Sequence, residues 1–170
     1  ESNYLVPQMT REQKRMAKRW EAMEGATRVF WRSDARALLA DFPYLNDVQW
    51  LDARYYPRWK ATDKGEYIEA DKALVAPNAV VPDEMKAANM RESFIVSPLY
   101  KDSTDGTKYV VTYVSVYKDS TTFDGLLLNR IEISALMEHI RSQSKPSARI
   151  EVFAGAEQVY ATGQPVGNAG

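Results

Sequence analysis

With no cysteine and a single histidine, His139, this chain has few of the groups from which catalytic centres are built. Disulfides, thiolate metal sites and a cysteine nucleophile are excluded, and any histidine-dependent triad must use His139. That residue stands in a helical segment beside Leu136 and Ile140, the setting of a packed or surface histidine. Asp47 and Asp52 have the composition of a carboxylate pair, yet neither has a His or Cys beside it. The eight glycines are scattered. Neither GxGxxG nor GxxxxGK occurs, and no EF-hand loop is present, so no phosphate cradle or calcium loop can be read. Four Trp, ten Tyr and five Phe are the conspicuous functional material. Tyrosine joins an apolar body to a polar tip, which suits the wall of a small-molecule pocket.

These aromatic residues fall in two places. Within 50–59 stand Trp50, Tyr55, Tyr56 and Trp59, with Arg58 and Lys60 facing away from Trp59. Within 108–117, Val110, Thr112, Val114 and Val116 alternate with Tyr109, Val111, Tyr113, Ser115 and Tyr117. Side chains alternate across a strand, so one face is β-branched and the other carries tyrosines. The valine face is expected to meet helices, and the tyrosine face to meet the loops crossing the other side. Tyr113 and Ser115 are therefore expected to face a cavity bounded by Tyr55, Tyr56 and Trp59, with Arg91 or Ser93 near one end. Trp50 is expected in the core, and the alternatives are that the tyrosines cap a wet face or pack under a loop, that Tyr55, Tyr56 and Trp59 are core as well, and that Arg91 pairs with Glu92 or Asp83.

The elements that must position these residues follow from periodicity. Thr10 and Gln13 have the spacing of a capping box, and Met9, Met16, Trp20, Met23, Thr27 and Phe30 recur at spacings of three, four and seven. They predict one helix of about 30 residues, about 45 Å long, ending near Asp41 because Pro43 biases Phe42 away from helix. Such a stripe is longer than one sheet needs, so it is expected to pair weakly with a second copy. Strands are predicted at 48–52, 58–62, 94–100, 108–117 and 123–132, with a short helix after Pro82. A helix at 133–144 should pack Ile133, Leu136, Met137 and Ile140 inward and leave His139 at its edge, functionally silent. A last hairpin follows at 149–162. Short turns make the sheet mainly antiparallel, giving an α+β domain with helices against five strands.

Composition bounds the partners. Twenty-two basic residues against 23 acidic ones give a net charge of −1, so no strong field favours nucleic acid. No run of 18 apolar residues occurs. The chain starts at Glu1 and reads as a processed or excised piece.

In Asp41-Phe42-Pro43-Tyr44-Leu45, then Val48-Gln49-Trp50-Leu51-Asp52, with Trp59 downstream, the sequence resembles the opening of a CHASE domain. These are extracytoplasmic sensory modules of bacterial histidine kinases and diguanylate cyclases. Ala87, Ala88, Arg91, Ser97-Pro98, Gly106, Val114-Ser115-Val116-Tyr117 and Phe123-Asp124-Gly125 resemble the family's next series. Leu136-Met137 and the 150–160 hairpin resemble its closing elements. Ser115 stands where Pro is usual, Ala53 where Gly often opens the turn, and Ala154-Gly155 where Asp-Gly is common.

The resemblance implies a PAS-like five-stranded sheet with a long N-terminal helix on one face and a ligand pocket on the other. It implies flanking membrane helices and a periplasmic location at the bacterial inner membrane. Residues 1–41 are then the signalling and dimerisation helix, 42–162 the sensor domain, and 163–170 a tail toward the membrane. The expected role is to bind a small molecule and signal to a kinase or cyclase, without chemistry, cofactor or metal. The rival readings are an interaction domain with a self-filled pocket, and a small hydrolase using Asp52 with His139 or a metal.

Overall fold

Met9, Gln13, Met16, Ala17 and Trp20 recur on one side of a helical wheel, and all are buried. Around them Arg11, Lys14, Arg15, Lys18 and Arg19 are exposed. This pattern makes helix α1 (Leu5–Ala22), and Trp31, Ala35 and Leu38 make the inward face of α2 (Arg28–Asp41). The computed structural model describes residues 5–23, 28–65, 67–69, 94–97, 99–119, 121–143, 151–154 and 157–161.

The single long helix expected over this region is two helices side by side. Arg19 Nη2 lies 2.8 Å from Asp34 Oδ1. Fifteen positions on one continuous helix would separate them by about 22 Å. The reason is a pair of indoles. Trp20 packs edge-on to Trp50, and Trp31 packs on Trp59, with ring centroids 5.1 and 5.6 Å apart. Trp50 and Trp59 are cross-strand neighbours, so both helices must land on the same patch of sheet. Met9, Met16 and Trp20 are thereby buried under their own helix and are not a dimer seam. Met23 and Phe30 are exposed, and Thr27 lies outside the described residues.

The expected capping box is also absent, because Thr10 and Gln13 are interior to α1. Gln13 instead reaches the sheet. Its Nε2 donates to the carbonyl oxygens of Thr112 (3.2 Å) and Leu127 (3.0 Å), and its Oε1 accepts from Thr112 Oγ1 (3.0 Å).

The strands are β1 (Leu45–Asp52), β2 (Pro57–Thr62), β3 (Tyr67–Glu69), β4 (Phe94–Val96), β5 (Tyr100–Lys101), β6 (Lys108–Lys118) and β7 (Thr122–Glu132). They form an antiparallel sheet of seven strands in the order β3-β2-β1-β7-β6-β4, with β5 also on β6. Five were expected. The excess is the short edge strand β3 and a division of the 94–101 run. Between β4 and β5, Ser97 keeps the ladder going with its side chain: Val111 N donates to Ser97 Oγ at 2.9 Å.

Helix α3 (Ile133–Gln143) buries Ile133, Leu136, Met137 and Ile140, as its spacing predicts. All three helices pack on one face of the sheet, against Val48, Trp50, Ala61, Val114, Val116, Leu127 and Ile131. Strands β8 (Glu151–Ala154) and β9 (Glu157–Ala161) form a separate hairpin. Among the described residues no helix is long and apolar enough to cross a membrane.

Gly125 lies opposite Asp52 in the β1–β7 ladder, at φ +155°. A Cβ there would collide with the Leu51 carbonyl oxygen and stand 2.5 Å from Trp50 Cη2. Neither neighbour can yield without moving the core. Gly125→Ala is expected to lower unfolding free energy by about 3 kcal/mol, read from urea denaturation. An unchanged midpoint would show that the Trp50 indole has room to move.

Candidate functional site

The face opposite the helices is built from alternate residues of the same strands. Across it run Lys60, Gln49, Leu128, Tyr113 and Ile95 in one row, and Thr62, Asp47, Arg130 and Val111 in the next. Leu51, Val111, Tyr113, Leu126 and Leu128 are its buried apolar centre, with Tyr55, Ile95 and Phe123 packed on them. The face is thus amphipathic along the strands, with an apolar floor beside one polar end.

At one end Asp47 is fully buried and directly opposite Arg130. Its Oδ2 accepts from Arg130 Nε (2.7 Å), with Nη2 also in contact, and from Asn46 Nδ2 (2.8 Å). Oδ1 accepts from Gln49 Nε2 at 2.9 Å. A register shift between Leu45 and Asp47 brings the neighbouring Asn46 within reach. The guanidinium of Arg130 lies over the Tyr109 ring, 4.6 Å from its centroid. Burial works against its charge, but Asp47 and Tyr100 outweigh burial and raise its pKa. Burial likewise pushes the Tyr100 and Tyr109 phenols up. Lys60 Nζ stands 4.0 Å from Asp47 Oδ2, outside hydrogen-bond reach.

At the end of β1 Asp52, which alternates onto the face of Trp50, organises the β1–β2 turn. Its Oδ1 accepts from the backbone of Arg54 (2.9 Å) and Tyr56 (3.1 Å), and its Oδ2 binds Arg58 Nε and Nη2, both at 2.7 Å. The turn holds Tyr55 at φ +67°, an unusual conformation for an aromatic residue. Its ring meets Phe123 at 6.0 Å, and Phe123 meets Tyr117 at 6.0 Å.

The expected pocket residues are partly brought together. Tyr113 and Ser115 lie on the face away from the helices, both buried, and Tyr55 packs at the edge of the same cluster. Tyr56 sits in the turn, its ring 6.0 Å from the Arg58 guanidinium. Trp59 must be reassigned. It stacks on the opposed Trp50 and packs at a tilt against Trp31 beneath the helices, so the sheet itself separates it from Tyr113. Arg91 and Ser93 lie outside the described residues, as does the helix expected after Pro82.

His139 packs against Tyr44, with centroids 5.5 Å apart, just before β1 begins. Asp52 ends that strand, roughly 25 Å away at about 3.3 Å per residue, and it is already bound to Arg58. These two residues therefore form no catalytic pair. Among the described residues no three of His, Asp and Glu converge as metal ligands.

The charged end of the face escaped the sequence reading. Asp47 and Arg130 stand 83 positions apart, and only strand pairing joins them. The signal available was alternation, because Leu126, Leu128 and Arg130 share a face and a charge there calls for a partner.

Replacing Arg130 by Leu leaves a buried carboxylate without its cation. The expected loss of stability is about 3–5 kcal/mol. Asp47→Asn in the same chain should return part of that loss, because the charge is then gone. Equal stability for Arg130→Leu and wild type in urea would show that the pair is not holding the strands.

No family model matches this sequence, and no curated protein matches it. Solved structures match its fold. The ligand-binding domain of a Campylobacter jejuni chemoreceptor in complex with L-norvaline matches with a TM-score of 0.62 at 13% identity, covering 91% of this chain and 59% of that one. The ligand-binding domain of a Pseudomonas aeruginosa amino-acid chemoreceptor in complex with GABA gives 0.55 at 11% identity, covering 86% and 62%. An extracellular ligand-binding receptor from Desulfohalobium retbaense gives 0.58 at 13% identity, covering 82% and 24%. The chain thus spans between 24% and 62% of the length of these three. The likeness is one of fold: an open antiparallel sheet with N-terminal helices, of the PAS-like kind found in extracellular sensory domains.

Proposed function

We propose that this chain is the extracytoplasmic ligand-sensing domain of a membrane-bound signal-transduction receptor. It binds a small molecule on the sheet face away from the helices and performs no chemistry. Binding shifts the terminal helices, and a cytoplasmic kinase or cyclase reads the shift. The observation that carries this reading is the outer face itself. It offers a buried tyrosine and leucine floor beside a fixed carboxylate–guanidinium pair, the mixture of apolar wall and oriented polar groups that small-molecule sites use. The fold it shares with ligand-binding domains of chemoreceptors supports the same reading. A ligand moves such a domain only through unequal affinity for two conformations, and a few kcal/mol suffices.

The CHASE-type assignment has structural support of its own kind. Two motifs that carry the resemblance, Trp50-Leu51-Asp52 and Phe123-Asp124-Gly125, meet in the β1–β7 ladder, where Gly125 leaves room for Trp50. On this reading residues 1–41 carry the signal, 42–162 form the sensor and 163–170 lead toward the membrane. A homodimer through the N-terminal helices would use the exposed Met23, Val29 and Phe30, because Met9, Met16 and Trp20 are core.

A thermal-shift screen of amino acids, carboxylates, amines and nucleobases tests the proposal, since a ligand of the folded state raises Tm by mass action. At least one compound should stabilise the wild type. Tyr113→Ala should abolish that response while remaining folded, with a stability loss of about 3 kcal/mol or more from the vacated ring. If no small molecule raises Tm, the interaction-domain reading replaces this one.

A further inference from the structure

We infer that α2 pairs in parallel with α2 of a second copy, with Phe30, Ser33, Ala37 and Ala40 in the seam and Arg36 of each copy against Asp41 of the other. The pairing is independent of the sensing role proposed above, since neither a ligand nor the outer sheet face takes part in it.

Helix α2 buries Trp31, Ala35 and Leu38 against the sheet. Phe30, Ser33, Ala37 and Ala40 recur at spacings of three, four and three, and all four are exposed. At about 3.6 residues per turn this stripe points away from the buried side. Its spacing is that of the a and d positions of a heptad seam. Phe30 is 52% exposed and the adjacent Val29 75%, the two most exposed large apolar side chains among the described residues. An apolar group left in water at the head of such a stripe marks a surface that another element covers. Small side chains at the next three positions let a second helix come close.

Charge selects the partner and its direction. With Phe30 and Ala37 at a and Ser33 and Ala40 at d, Arg36 falls at g and Asp41 at e. In a parallel pair a g side chain faces the partner's e five positions on, and Arg36 then faces Asp41 twice over. In an antiparallel pair like flanks meet, and Arg36 would face Arg36. Among the described residues neither Arg36 nor Asp41 makes an ion pair in its own chain. Asp41 also lines a crevice of about 270 Å³ between α1 and α2, part of it open to solvent, together with Glu12 and Asp34. Glu12 is held by Arg15 and Asp34 by Arg19, each at 2.8 Å. The carboxylate left over is Asp41, and the partner's Arg36 supplies its cation. Helix α2 has 14 residues, two heptads. The pair is therefore weak in dilute solution and gains from any tether that holds two copies together.

The chain has no cysteine, so a single introduced thiol reports proximity without background. The test oxidises Ser33→Cys and Arg11→Cys, the latter on the exposed side of α1, with copper phenanthroline and follows the cross-linked dimer on non-reducing gels. Ser33→Cys should cross-link about fivefold or more faster than Arg11→Cys. Adding Arg36→Asp or Asp41→Arg to Ser33→Cys should slow it by about fivefold, because two symmetric pairs turn repulsive. Adding both should restore most of the rate, because the charges are then exchanged. All these positions are exposed, so each variant should keep the wild-type Tm. Equal rates for Ser33→Cys and Arg11→Cys overturn the inference. So do single reversals that leave the rate unchanged, and so does a double reversal that stays slow. The thermal-shift screen reads ligand binding separately, so the pairing and the sensing role stand or fall apart.

Discussion

Arg130 places a guanidinium on a central strand of the sheet with only 22% of its side chain exposed, and much of the outer face follows from that. A charge at that depth must be paired, and the partner must come from the adjacent strand at the right register. Asp47 meets the requirement because β1 pairs with β7 so that the two residues are directly opposed. The register shift beside Leu45 then brings Asn46 onto the same carboxylate, and Gln49 reaches it from two residues on. One strand slip would carry Asp47 to the helix face, among Trp50, Val48 and Leu127, where nothing could receive it. The pair therefore acts as a lock on strand order as well as a polar feature of the candidate site. Its contribution to stability beyond an apolar pair is small in general, but its contribution to a unique register is not.

What could be read in the sequence is what is local. The alternation in 108–117 correctly separates the valine face from the tyrosine face, and the spacing in 133–143 correctly names the four inward residues of α3. Both depend only on the geometry of one element. Trp50 as core is legible for the same reason, while the turn expected at 55–57 falls at 53–56, with Pro57 already in β2. The helical stripe misled because period and length cannot show where a helix turns back. A run of apolar positions at helical spacing looks alike whether it faces a partner molecule or its own sheet. Trp59 stays open between rim and core in the sequence because its facing depends on pairing with Trp50, which is a relation between strands. The charged end of the face was unreadable for that reason too. Asp47, Lys60 and Arg130 come from three strands, and no motif spans them.

The two helices are tied to the sheet by different forces. Helix α2 rests on indole contact, Trp31 on Trp59, which can slide. Helix α1 has an indole contact of its own, Trp20 on Trp50, but also directional bonds: Gln13 holds Thr112 and Leu127, and Asn129 Nδ2 lies 3.0 Å from Met9 Sδ. These polar residues are set between outer-face residues in the chain. Thr112 lies between Val111 and Tyr113, and Asn129 between Leu128 and Arg130. Displacing the floor of the candidate site along β6 or β7 thus displaces the anchors of α1 directly, one residue away and through the sheet. A close-packed core passes on such a shift rather than absorbing it. Breaking the bonds instead would leave the Gln13 amide buried without partners, at a cost of about 1–3 kcal/mol. That is comparable to the coupling free energies by which distant sites ordinarily influence one another. Helix α1 is therefore the element that must move if this face moves. Its link to α2 through the exposed Arg19–Asp34 pair is weak enough to let it.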